Sequence, residues 1–229
     1  MTIPTPGTTP YNLASWQLSA GRTALVAIDM QNDFLHADGW YRQSGIDISH
    51  MQKSIEPVRA LVAAAREQDV PVIWTQHGFR DGTDAGVFAT LRDFMKQGGL
   101  RKGTWGYELI GEMDVQADDW LVEKNRLSGF FATNLDLILR GLDADTVLIC
   151  GVLTNQCVKA TAVDANFRDY KPIVVAEATG TTLPHLHDPA LEMIAVGIGE
   201  TRSLEDTLKD IKGLSNRYSV HSDPRSHNP

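Results

Sequence analysis

Only two cysteines, Cys150 and Cys157, occur in the 229 residues. They are too few and too close in sequence for a disulfide framework, so a reduced compartment suits the chain. Basic residues are outnumbered, with 21 Lys and Arg against 29 Asp and Glu and a formal net charge of -8. Their scatter along the chain leaves no footprint for a phosphate backbone, which excludes nucleic acid as an expected partner. No apolar run reaches the length of a membrane span. The first twenty residues are rich in Pro, Thr and Ser and lack both the basic start and the apolar stretch of a secretory signal. These absences predict a cytoplasmic protein without a membrane partner. Internal repeats are also missing.

What is present is ordinary globular material, 42% hydrophobic and 22% charged. The length fits one domain over 21–215, between an N-terminal extension at 1–20 and a mobile tail at 216–229. "TALVAID" (23–29) is apolar without a helical period, as in a strand buried on both faces. A helix over 54–69 puts Ile55, Val58, Leu61, Val62 and Ala65 on one face, and "VPVIWTQ" (70–76) is the next strand. After a glycine-rich segment over 77–119, "WLVEK" (120–124) gives a third strand. A helix over 133–142 with Thr133 as its N-cap leads to the strand "DTVLIC" (145–150). A helix over 157–170 burying Val158, Ala162, Ala165 and Phe167 leads to a fifth strand, "KPIVVAEA" (171–178). Helices near 189–196 and 204–211 with a short strand between them close the pattern. Strands alternating with helices predict an α/β fold, a parallel sheet covered on both sides.

In such a sheet chemistry gathers where strands end and loops enter helices. Asp29, Lys124 and Cys157 all fall there. Each has two readings. Asp29 is a turn cap or a partly desolvated general base. Lys124 is a surface cation or a buried ammonium beside an anion. Cys157 is a packed thiol or, in the first turn of a helix capped by Thr154 or Asn155, an activated nucleophile. Cys150, inside an apolar strand, reads as buried.

The segments "ALVAIDMQNDF", "LVEKNRLSGFFATNLDLIL" and "ICGVLTNQCVKATAVDANFRDY" resemble the three signature segments of the isochorismatase-like cysteine hydrolases, in order, over about 23–182. The resemblance implies a three-layer α/β/α fold with a six-stranded parallel sheet and a catalytic Asp29, Lys124 and Cys157. It also implies a cis peptide at Val152-Leu153, which turns the Leu153 N–H toward an oxyanion beside that of Cys157.

A cysteine in this setting points to acyl transfer from an amide or ureide. Relatives that bind metal carry an Asp and His cluster after the second strand. Here only His77 stands there, so neither a metal site nor any other cofactor is expected. "RLSGFFATNLDLILR" and "RKGTWGYELI" are most similar to segments of ureidoacrylate amidohydrolases and of biuret and triuret hydrolases. A small linear ureide of the biuret or triuret type is the substrate expected, with ureidoacrylate or an N-carbamoyl amino acid as the alternative. The choice turns on whether Arg101, Lys102 or Arg126 faces the pocket. Phe34, Trp40, Tyr41, Gln76, Trp105 and Phe131 are candidate pocket walls, each equally a candidate for ordinary packing. Two further readings are a catalytically silent binding module and a redox pair of Cys150 with Cys157. Relatives of the fold form dimers or tetramers, and Phe88, Phe94, Leu100 and Trp105 in 77–119 suit a subunit interface or a lid.

Overall fold

A computed structural model describes residues 13–81 and 83–214. The tail at 216–229 and the first dozen residues of the N-terminal extension lie outside the described residues. Six strands form one sheet: β1 (Thr23–Ile28), β2 (Val72–His77), β3 (Trp120–Lys124), β4 (Thr146–Val152), β5 (Lys171–Gly180) and β6 (Glu200–Arg202). Their order is β3-β2-β1-β4-β5-β6, and every pairing is parallel. Every residue of β1 and β4 is buried, because helices cover both faces and no alternate position meets water.

The covering helices are α1 (Ile55–Glu67), α2 (Leu135–Gly141), α3 (Lys159–Asn166), α4 (His187–Gly197) and α5 (Leu204–Lys212). Side chains of β1 alternate between two half-cores. Leu25 and Ala27 meet Val58 and Leu61 of α1 and Ile211 of α5. Ala24, Val26 and Ile28 meet Leu135 of α2, Ala162 of α3 and Leu191 of α4. The result is the expected three-layer α/β/α architecture. No helix among the described residues is long and apolar enough to cross a membrane.

Several local expectations need correction. The helix predicted over 157–170 starts earlier, as a π-helical turn at Thr154–Val158, and α3 stops at Asn166. Phe167 therefore falls past the last turn and is 77% exposed, while Tyr170 takes the buried place expected of it. Ile55 is only half-buried, at the first residue of α1. The predicted cap Thr133 yields the N-cap position of α2 to Asn134, though its Oγ1 still accepts from Leu135 N at 3.2 Å.

The glycine-rich segment folds back on its own chain. It contains short helical turns at Gly86–Leu91 and Asp93–Gln97, with Phe88, Met95 and Leu100 buried. The Trp40 indole lies against Gly98 and Gly99 and donates from Nε1 to Phe94 O at 3.1 Å. Phe88 and Leu100 are thus spent inside the chain, and through Phe88 the segment covers the His77 ring at the end of β2 like a lid.

The strand order reverses direction between β1 and β4, and ligands of open α/β sheets bind at the carboxyl end of such a switch point. Gly151 brings the two strand ends together. It pairs with Ile28 at φ +104, and a Cβ there would strike the Ile28 backbone. Gly151→Ala is expected to cost roughly 1–3 kcal/mol, read as a lowered urea midpoint. An unchanged midpoint would show that the strand ends have room to spare.

Candidate active site

Asp29 is the first residue beyond β1. Its φ of +52 is a left-handed value that Asp tolerates better than bulky residues. Its N–H donates to Thr75 O at 3.2 Å, and Thr75 Oγ1 donates to its Oδ1 at 2.6 Å. Lys124 ends β3, two strand spacings or about 10 Å away. Its stem spans that gap and brings Nζ to 2.7 Å from Asp29 Oδ2, with both side chains sealed from solvent. The same ammonium donates to Arg126 O at 3.1 Å and lies 3.1 Å from His77 Nδ1. Cys157, 2% exposed, arrives from the π-helical turn after β4, with Sγ 3.9 Å from His77 Nδ1. The Val152-Leu153 peptide leading into that turn is cis.

The turn differs from the expected helix tip. Leu153 is its N-cap, and its wide loop closes with Val158 N donating to Leu153 O at 3.2 Å. Neither expected cap acts as one. Thr154 Oγ1 is 3.0 Å from His187 Nδ1, and Asn155 Oδ1 accepts from Thr181 Oγ1 at 2.7 Å.

Burial and pairing oppose each other throughout the site. Burial raises the proton affinity of Asp29, and the Lys124 charge with the Lys124, Thr75 and Cys157 hydrogen bonds only partly offsets this. Burial works against the Lys124 ammonium, yet Asp29 and Cys157 lift it above the ordinary lysine range. The Cys157 thiol is pushed up to about 12 by burial, with Lys124 pulling down and Asp29 pushing further up. Burial, then the cations of Lys124, Arg92 and Arg126, hold His77 well below the usual imidazole range, so it is neutral. One buried cation therefore supports one anion, to be divided between an oxygen of Asp29 and the sulfur of Cys157.

Asp29, His77 and Cys157 bring donor atoms within 4.8 Å of one another, a spacing a divalent ion could bridge. The Lys124 ammonium already contacts two of the three, so the cluster is filled by an organic cation.

The other predicted residues scatter. Phe34 and Tyr41 are buried with ring centroids 4.7 Å apart. The Tyr41 phenol, raised chiefly by burial, also feels Arg92, Cys157 and Asp29, so it adjoins the site. Trp40 is half-buried and braces the lid, as described above. Gln76 is likewise half-buried and donates to Tyr107 O at 3.2 Å. Trp105 and Phe131 are 48% and 56% exposed. Of the candidate cations, Arg101 is tied to the carbonyls of Gly99 and Met95 and Lys102 to Glu123. Arg126 donates to the carbonyls of Asp84 and Asn125. Cys150 belongs to the half-core opposite Cys157, which removes the redox pairing. Both thiols are free.

The sequence reading notes His77 only as a lone histidine after the second strand and misses Arg92. His77 ends β2 in register with Lys124, but the sequence places the strand end at Gln76. Arg92 comes from the lid. It donates to Gln156 Oε1 at 2.5 Å, next to the nucleophile candidate, and stacks 4.5 Å over the Phe88 ring.

The isochorismatase domain family matches residues 23–206, and the chain belongs to that family of α/β hydrolases. It is 35% identical over 195 residues to a ureidoacrylate amidohydrolase RutB of Methylorubrum extorquens, covering 79% of each chain. Among solved structures it resembles a cysteine hydrolase from Pseudomonas syringae pv. phaseolicola at TM-score 0.82 and 29% identity, covering 90% of this chain and 99% of that one. An N-carbamoylsarcosine amidase from Thermoplasma acidophilum gives TM-score 0.67 and 28% identity, with 80% and 97% covered. The protein is an amidohydrolase of the isochorismatase cysteine hydrolase family, acting on C–N bonds.

Removing one member of a buried ion pair strands the other in a medium that cannot solvate it. Lys124→Met should therefore lower stability by roughly 3–5 kcal/mol at neutral pH, measured by urea unfolding. A loss below about 1 kcal/mol, the worth of a surface pair, would mean that water reaches Asp29.

Proposed function

We propose that the protein hydrolyses the carbamoyl C–N bond of a small ureide by covalent catalysis at Cys157. The observation that carries this reading is one sealed ammonium 2.7 Å from the Asp29 carboxylate and 3.1 Å from His77 Nδ1, which itself lies 3.9 Å from the Cys157 sulfur. Asp29 takes the Cys157 proton, and the thiolate forms a bond to the carbonyl carbon. The oxyanion rests on the N–H groups of Leu153 and Cys157. Collapse breaks the C–N bond, and the proton on Asp29 leaves with the departing nitrogen. Water then gives a proton to Asp29 and its oxygen to the carbonyl, and the thiolate recovers that proton as it leaves. Lys124 keeps its charge throughout and faces whichever partner is anionic.

Neutral biuret and triuret fit this chemistry, but two features support a ureide that also bears a carboxylate, of the ureidoacrylate or N-carbamoyl amino acid kind. Arg92 and Arg126 both act on His77, and neutral groups hold their guanidiniums, which leaves charge for an anionic substrate. The similar proteins named above include a ureidoacrylate amidohydrolase.

An ammonia-release panel of ureidoacrylate, N-carbamoyl amino acids, biuret and triuret tests this. The acids should exceed the neutral ureides in kcat/KM by roughly 10- to 100-fold, the worth of one charged hydrogen bond. Arg92→Gln should erase most of that advantage, and Cys157→Ala should abolish release from every substrate. Faster turnover of the neutral ureides would reverse the substrate assignment, and turnover by Cys157→Ala would require another nucleophile.

A further inference from the structure

The scheme above uses Asp29, Lys124 and Cys157 and leaves one buried titratable group in contact with two of them. His77 is 1% exposed, with Nδ1 3.1 Å from Lys124 Nζ and 3.9 Å from Cys157 Sγ. Its backbone is fixed independently of its ring. Gln31 Oε1 accepts from His77 N at 2.7 Å, and Gln31 Nε2 donates to His77 O at 3.0 Å. The imidazole is thus delivered to the ammonium by a rigid strand end.

We propose that His77 is a positioning residue whose Nδ1 accepts a hydrogen bond from Lys124 and holds the ammonium where it can serve Asp29 or the Cys157 thiolate in turn. The inference rests on the covalent reading above. An ammonium has three donors and no acceptor. Here they meet Asp29, His77 and the Arg126 carbonyl. The two neutral acceptors fix Nζ in place without competing for its charge. When the proton moves from sulfur to Asp29, the cation is already near the new anion and no side chain has to move. Without His77 only Asp29 and the Arg126 carbonyl would hold the ammonium, and nothing would draw it toward the thiolate.

The donor on Lys124 dictates the tautomer: Nδ1 is bare and Nε2 carries the proton. His77 Nε2 is buried and has no hydrogen-bond partner among the described residues. Phe79 and Phe88 flank the ring at centroid distances of 5.2 and 5.4 Å. A buried orphan donor is uncommon, and it persists here because Nδ1 is committed to Lys124. The charged groups that act on the ring, Lys124, Arg92 and Arg126, are all cations, which keeps His77 from acting as a second general base. The acidic groups nearest it, Cys157 and Asp29, exchange their proton with each other in the scheme above.

The test needs no substrate, so it stands or falls separately from the ureide assignment. The pH dependence of Cys157 alkylation by iodoacetamide is measured for the wild type, His77→Phe and His77→Asn. Asn places an acceptor oxygen the same number of bonds from Cα as Nδ1, and Phe does not. His77→Phe should move the profile upward by about one pH unit, a roughly tenfold loss of rate below the midpoint. His77→Asn should stay within about threefold of the wild type, less than half a pH unit. In wild-type enzyme, nitrogen NMR of His77 should show a neutral Nε2–H tautomer from about pH 5 to 8. That measurement decides the matter if His77→Phe does not fold. A wild-type profile in folded His77→Phe, or an Nδ1-protonated or titrating His77, would overturn the proposal.

Discussion

The structure depends on one ammonium kept out of water. Lys124 and Asp29 have no exposed side-chain surface, and 2.7 Å separates their charges. Desolvating two ions costs several kcal/mol each, and their attraction repays it only with good geometry and further hydrogen bonds. Thr75, His77 and the Arg126 carbonyl supply those bonds. Because the ammonium between Asp29 and Cys157 is fixed, that pair has room for one negative charge, which either the carboxylate or the thiolate can carry. An equilibrium that bulk water would set by two independent pKa values becomes a transfer between neighbours.

The sheet exists around that pair in a specific way. β1 and β4 are adjacent at the switch point, so the residue after β1 and the turn after β4 meet without any loop having to reach far. β3 lies two strands off, and only a side chain as long as lysine spans the distance. The lid completes the enclosure. Phe88 packs on the His77 ring, and Arg92 fastens the lid to Gln156.

The sheet and the strand-end positions of Asp29, Lys124 and Cys157 were legible in the sequence because apolar runs are local signals, while their joint role came from the family resemblance. Asp29, Lys124 and Cys157 each sit beside a run that declares its own strand. His77 was not legible in its role, since its meeting with Lys124 depends on the register between β2 and β3, which no stretch of either strand encodes alone. Arg92 was missed for a similar reason: a lid folds by tertiary packing, and its glycines announce only a loop. Phe167 misled because helical spacing continues on paper after the backbone has left the helix.

If one cation supports one anion, removing Asp29's charge should free Lys124 for the thiolate. The most direct test is the pH dependence of Cys157 alkylation in Asp29→Asn, alongside its ammonia release. The account predicts that the alkylation profile moves to lower pH, since Asp29 raises the thiol and Lys124 lowers it, while turnover is lost for want of a proton carrier. A profile that stays in place or moves to higher pH would contradict the shared charge and leave Asp29 a simple base.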